Sequence, residues 1–237
     1  MDSKSLPEID VERETDRICS FISRFVEERQ ADGLALGLSG GLDSSVVAAL
    51  AVRSLGPERV HALMLPERDS SKKSVDDARE HAEHLGIHYR IQDLTSALEK
   101  LGCYERVASG VAKLGGAPRA AVKIFPGLAR KGFLRSLSGG GGRRFQEFVA
   151  FYRIKHRLRM VEVYREAEEV NLVAASCANR TEYETGFFVR YGDDAGDIAP
   201  IKHLYKTQVF RLGRHLGLPE RILEKNPSPD LFAGMDD

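Results

Sequence analysis

Residues 34–51 constrain this chain more than any other stretch. The apolar run Leu34-Ala35-Leu36-Gly37-Leu38 is too short for a helix. It runs into Ser39-Gly40-Gly41-Leu42-Asp43-Ser44-Ser45, and an Ala/Val-rich segment then reads as a buried helix. That order is strand, anion-sized loop, helix. Glycines let backbone N–H groups close on an anion, and the following helix aims its unpaired N–H groups and positive dipole end into the same loop. Ser39, Ser44 and Ser45 add hydroxyl donors. Asp43 is repulsive beside an anion unless a hard, oxygen-ligated cation such as Mg²⁺ lies between them. The loop therefore predicts a metal-bound phosphate.

Other readings of the loop are weaker. It lacks the terminal Gly-Lys-Ser/Thr of a Walker loop and does not fit G-x-G-x-x-G. Gly37-Leu38-Ser39-Gly40-Gly41 satisfies G-x-S-x-G, the nucleophile elbow of hydrolases, but nothing upstream of Leu34 supplies a Gly-rich oxyanion strand. A glycine turn with no ligand is the bland alternative.

At 237 residues, 42% hydrophobic and 30% charged, the chain is sized for one domain over 1–237. A formal charge of +0 gives no global field to recruit nucleic acid or membrane. Cys19, Cys103 and Cys177 contain no C-x-x-C pair, which argues against a disulfide framework and for a reducing compartment. The charged N-terminus has no apolar signal core, and no apolar run is long enough to span a bilayer, so a cytoplasmic location is expected.

Along the chain, residues 9–29 place Val11, Ile18, Phe21, Ile22, Phe25 and Val26 at helical spacing. Strands are expected at 60–65, 87–91 and 172–175 and helices at 70–85 and 145–168. This alternation predicts an α/β fold, a doubly wound parallel sheet with flanking helices, which binds ligands beyond the carboxyl ends of its strands. The turns at 66–71 and 176–182 fall at such ends. There, Glu182 is positioned to join Asp43 as a second carboxylate on the metal. His81, His84 and His88 alternate with Glu80 and Glu83 and read as a solvated face rather than a metal site. Residues 107–146 carry eight Lys/Arg and no Asp or Glu, and include Ser138 and four consecutive glycines, so a basic, flexible insertion is expected. It reads as a solvated insertion, a lid over an anionic substrate or a patch for RNA phosphates.

The string Ser-Gly-Gly-x-Asp-Ser resembles the pyrophosphate loop of the ATP pyrophosphatases, which cleave ATP between the α and β phosphates. Asn179-Arg180-Thr181-Glu182, Thr185-Gly186-Phe187-Phe188, Tyr191-Gly192-Asp193, Gly196-Asp197, Tyr205-Lys206-Thr207-Gln208 and Pro227-Ser228-Pro229-Asp230-Leu231 narrow the resemblance to the ammonia-dependent NAD synthetases. With Arg157-Leu158-Arg159-Met160, these motifs span most of the chain outside the basic insertion. The resemblance implies a Rossmann-like, adenine nucleotide α-hydrolase-like fold. It implies that Ser39, Gly40, Gly41, Ser44 and Ser45 cradle the β and γ phosphates of ATP, with Asp43 and Glu182 on Mg²⁺. Lys206 would neutralise phosphate charge, and Ser228 would contact the phosphates where the family usually has Thr. Asp193, Asp197 and Arg157 would place deamido-NAD. The implied reaction adenylates that carboxylate, releases pyrophosphate, and lets ammonia displace AMP. The resemblance also implies a homodimer, with residues 145–168 at the interface. Only one helix precedes the loop, so ammonia would arrive free or from a separate glutaminase.

Ser176-Cys177 replaces the family's Gly-Thr, and Arg153 stands where the family carries Asn. Both departures touch the acceptor side. Two alternatives stay open: a related enzyme adenylating another carboxylate, or an RNA or sulfur acceptor with Cys103 or Cys177 carrying sulfur; and a catalytically silent nucleotide-binding subunit.

Overall fold

Strands buried on both faces need helices on both faces, and this requirement organises the chain. The computed structural model describes residues 8–104 and 143–225. β1 (Gly33–Gly37), β2 (Val60–Met64), β3 (His88–Ile91) and β4 (Leu172–Ala175) pair in parallel in the order β3-β2-β1-β4. Among the described residues the helices are α1 (Val11–Glu28), α2 (Leu42–Leu55), α3 (Lys72–Leu85), α4 (Thr95–Lys100), α5 (Arg143–Glu169), α6 (Arg180–Thr185), α7 (Lys206–His215) and α8 (Glu220–Leu223).

The period-two alternation of the strands divides the core in two. Leu34, Leu36, Ala62, Met64, Val173 and Ala175 pack with α1, α2 and α7 on one face. Ala35, Leu63 and Ala174 pack on the other against Phe151, Met160, Val163 and Ala167 of α5. In α2, Val46, Val47 and Leu50 are fully buried. Each such side chain contributes roughly 1.5–3 kcal/mol. Thr15, Ile18, Ile22 and Val26 form the buried stripe of α1, while Phe21 stays at the rim.

From β1 the chain winds outward through β2 to β3, then returns to lay β4 on the other side of β1. The direction of winding reverses between β1 and β4. The loops leaving these two strands therefore diverge from a common crevice, where sheets of this kind bind ligands.

Two expectations change. His81 is not on a solvated face: it is 1% exposed, and its Nε2 lies 3.2 Å from Ser45 O on α2. The apolar stripe of α3 includes Ala78 and Ala82, and His81 falls on the same side. α5 opens at Arg143, inside the stretch expected to be irregular. The rest of the basic insertion lies outside the described residues, as does Ser228.

Candidate active site

Gly40 makes the loop after β1 possible. Its φ is +73°, and a Cβ there would lie 2.3 Å from Ser74 O of α3. Only glycine tolerates both the left-handed backbone and that approach. Gly41 caps α2 without a side-chain hydrogen bond, so the first N–H groups of a 14-residue helix face the loop. Ser39 and Ser44 hold each other, with hydroxyls 3.1 Å apart, and Gly41 N donates to Ser39 Oγ at 3.2 Å. Ser45 is fully buried beneath the loop, and its hydroxyl has no hydrogen-bond partner.

The loop after β4 supplies the opposing carboxylates. Asn179 caps α6 in a reciprocal box: its Oδ1 accepts from Glu182 N at 3.2 Å, and Glu182 Oε2 accepts from Asn179 N at 2.9 Å. Asn179 Nδ2 then donates to Asp43 Oδ1 at 3.1 Å, so one amide links the two acids. Lys206, the first residue of α7, bonds Asp43 Oδ2, and its own N–H donates to Thr181 Oγ1 at 3.0 Å. Burial, then the charge of Asp43, pushes the Glu182 carboxyl up to about 7.

These groups open onto a cleft of about 1040 Å³, at the upper end for ligand pockets, which run to roughly 1,000 Å³. Ser39, Gly41, Asp43, Ser44, Glu182, Asp193 and Lys206 line it. Asp193, held up at about 6 by burial, accepts from Val189 N at 2.6 Å. Gly40 and Ser45 shape the loop from behind. Arg157 and Asp197 do not line the cleft: Arg157 Nε donates to Arg190 O at 3.1 Å, and Asp197 Oδ2 accepts from Ala174 N at 2.8 Å.

The cleft also recruits residues that motif reading passed over. Lys225 Nζ donates to Gly40 O at 3.1 Å and Ser74 Oγ at 3.0 Å, clamping the loop to α3. Its one sequence signal is nearness to Pro227-Ser228. From α5, Tyr152, His156 and Arg159 reach the opposite wall, with Arg159 Nε donating to Leu65 O at 3.1 Å. Cys177 also lines the cleft, and burial, reinforced by Asp43 and Glu182, holds its thiol far above the ordinary range.

The NAD synthase family model matches residues 14–117 and 142–237. This chain belongs to the NAD synthase family. The match skips 118–141, the middle of the basic insertion. The chain is 44% identical over 226 residues to the NH(3)-dependent NAD(+) synthetase of Thermotoga maritima, covering 93% of this chain and 79% of that relative. It is 38% identical over 235 residues to that of Methanopyrus kandleri, covering 98% and 71%. Among solved structures, the NMN synthetase of Francisella tularensis superposes with a TM-score of 0.73 at 29% identity, over 96% of this chain and 79% of that one. The NH3-dependent NAD synthetase of Campylobacter jejuni gives 0.70 at 27% identity, over 93% and 80%. The chain thus shares its fold with these solved structures.

Proposed function

We propose that the chain is an ATP-dependent carbon–nitrogen ligase that amidates deamido-NAD with ammonia, giving NAD⁺, AMP and pyrophosphate. The observation that carries this is the convergence of the β1 phosphate loop and the Asp43–Asn179–Glu182 chain with Lys206, in a member of the NAD synthase family. A carboxylate oxygen of the acceptor attacks the α phosphorus, and the bond to the bridging oxygen of pyrophosphate breaks. Ammonia then adds to the acyl carbon of the adenylate, AMP leaves, and a proton goes to solvent. No step calls for a protein nucleophile. Positioning and charge stabilisation by loop N–H groups, Ser39, Ser44 and Lys206 account for the residues present.

Mg²⁺ fits Asp43 and Glu182. Both offer hard oxygen donors, and a divalent cation between them would offset the burial that chiefly raises Glu182 and the repulsion from Asp43 that adds to it. When bound, it would neutralise phosphate charge. Asp193 supports the acceptor end of the cleft, and Ser228 and Arg157 are carried as family assignments. We read 1–237 as one catalytic domain bearing a basic insertion. It would act as a homodimer through α5, where Val161 is 57% exposed. Cys19, Cys103 and Cys177, none of them in a disulfide, suit a cytoplasmic setting.

The test is an assay of AMP, pyrophosphate and NAD⁺ with Mg-ATP, ammonium and either deamido-NAD or nicotinate mononucleotide. Turnover with deamido-NAD is expected, and Asp43→Ala should lower it by roughly 10²–10³-fold. A folded protein that exchanges no pyrophosphate into ATP with either carboxylate would overturn the proposal. Preference for the mononucleotide would reassign the acceptor.

A further inference from the structure

Toward the amino ends of β2 and β3, at residues that do not line the cleft, three metal-ligating side chains meet. His61 is the second residue of β2 and His88 the first of β3, and the two are register partners across the parallel ladder. Register partners on neighbouring strands project to the same face. Their imidazole rings accordingly stand side by side, with centroids 4.6 Å apart. Glu166, near the carboxyl end of α5, comes down on this pair with its Oε1 3.1 Å from His61 Nδ1. One ligand atom from each of the three residues can be chosen so that all lie within 4.8 Å of one another.

The surroundings favour a metal over a simple ion pair. Arg90 Nη2 is 2.9 Å from Glu166 Oε2 but off the hydrogen-bond line. The guanidinium therefore fixes one carboxylate oxygen as an outer partner and leaves the other facing the imidazoles, the arrangement that orients metal-binding carboxylates. A tetrahedral ion with ligands at about 2.0–2.2 Å needs ligand atoms roughly 3.3 Å apart. The His61–Glu166 separation already matches. His88 is exposed, which leaves its ring room to turn toward the other two ligands.

We propose that His61, His88 and Glu166 form a binding site for a borderline divalent transition ion, Zn²⁺ or Co²⁺ in class, that pins β2 and β3 to α5. The two nitrogens and single carboxylate oxygen select such an ion over Mg²⁺. Coordination replaces the His61–Glu166 hydrogen bond. His61 Nδ1 donates its lone pair to the ion, any proton it carries moves to the other ring nitrogen or to solvent, and water completes the shell on the exposed side. The site is independent of the nucleotide cleft.

The experiment is calorimetric titration of the untagged, chelator-treated full chain with Zn²⁺, and with Co²⁺ read by its visible d–d bands, in excess Mg²⁺. One equivalent should bind, with tetrahedral Co²⁺ bands and a zinc-dependent rise in melting temperature. His88→Ala, at an exposed position, and His61→Gln should each weaken binding at least about tenfold. His84→Ala on the neighbouring helix should leave it unchanged, and so should Asp43→Asn, which removes the cleft as an alternative site. No uptake at millimolar metal, or uptake indifferent to His88→Ala, would refute the site. Neither result bears on the amidation assay.

Discussion

His156 provides a sharp test of how burial governs charge on the α5 wall of the cleft. Its ring stands edge-on to Tyr152 at 4.8 Å between centroids, and Nδ1 is 3.8 Å from Asp193 Oδ2, beyond hydrogen-bond range. Nε2 is buried with no hydrogen-bond partner. Burial, aided by the cations of Arg159 and Lys155, pushes the imidazole down to about 3, and it outweighs any gain from Asp193. In the unfolded chain a histidine titrates near its ordinary value of about 6.5. Between these two values the unfolded chain binds a proton that the folded protein refuses. The stability contributed by neutral His156 is therefore complete above about pH 6.5 and is lost as pH falls toward 3. At about 1.4 kcal/mol per pH unit, the loss at pH 5 is roughly 2 kcal/mol. Urea unfolding of wild type and His156→Gln from about pH 7.5 to 5 should show the wild type losing that much relative to the variant. The His156 ring protons should not shift by NMR over the same range. A ring that titrates near 6.5, or a stability difference indifferent to pH, would refute the reasoning.

Other substitutions probe the loop and its supports. Gly40→Ala forces a Cβ against Ser74 O at positive φ, and should cost about 1–3 kcal/mol with a matching loss of ATP affinity in equilibrium dialysis. Asn179→Ala removes both the cap and the link to Asp43. Asn179→Ser keeps a capping oxygen, so it should recover about 1 kcal/mol of melting stability without recovering kcat. Lys225→Met frees Gly40 O and Ser74 Oγ and should raise KM for ATP roughly 5–30-fold, the equivalent of about 1–2 kcal/mol. An unchanged KM would make Lys225 a surface tether only.

Much of the fold was legible because its signals are local. Four apolar runs bounded by turns became four parallel strands, and Leu172–Ala175 matched residue for residue. Asp43 and Glu182 were legible as candidates because each follows a strand at the binding edge, whereas Lys206 came only from the resemblance of Tyr205-Lys206-Thr207-Gln208 to the ammonia-dependent NAD synthetases. What sequence could not carry is cross-chain geometry. His81 looks solvated beside Glu80 and Glu83, yet the packing of α3 on α2 turns it inward. His61 and His88 are 27 residues apart, and only the β2–β3 register makes them neighbours. Arg157 and Asp197 sit within motifs, but their side chains serve backbone carbonyl and amide groups.

The strand order explains why the acids meet. Asp43 lies on the first turn after β1, and Glu182 on the first turn of the helix after β4. They are 139 positions apart in sequence, but β1 and β4 are adjacent and parallel, so both turns leave the same edge. Had β4 been added beyond β3, two strand spacings of roughly 4.8 Å each would separate them further. No single amide would then span from one to the other. The reversal of winding at β1 is thus the topological condition for the Asp43–Asn179–Glu182 chain. The same condition brings α7 over the crevice to place Lys206 on Asp43. Under the proposed reaction, a triphosphate bound there would require Lys206 to exchange a carboxylate for phosphate oxygens. A cation that took over the charge of Asp43 would favour that exchange, and the proposal therefore couples nucleotide and metal at one point in the fold.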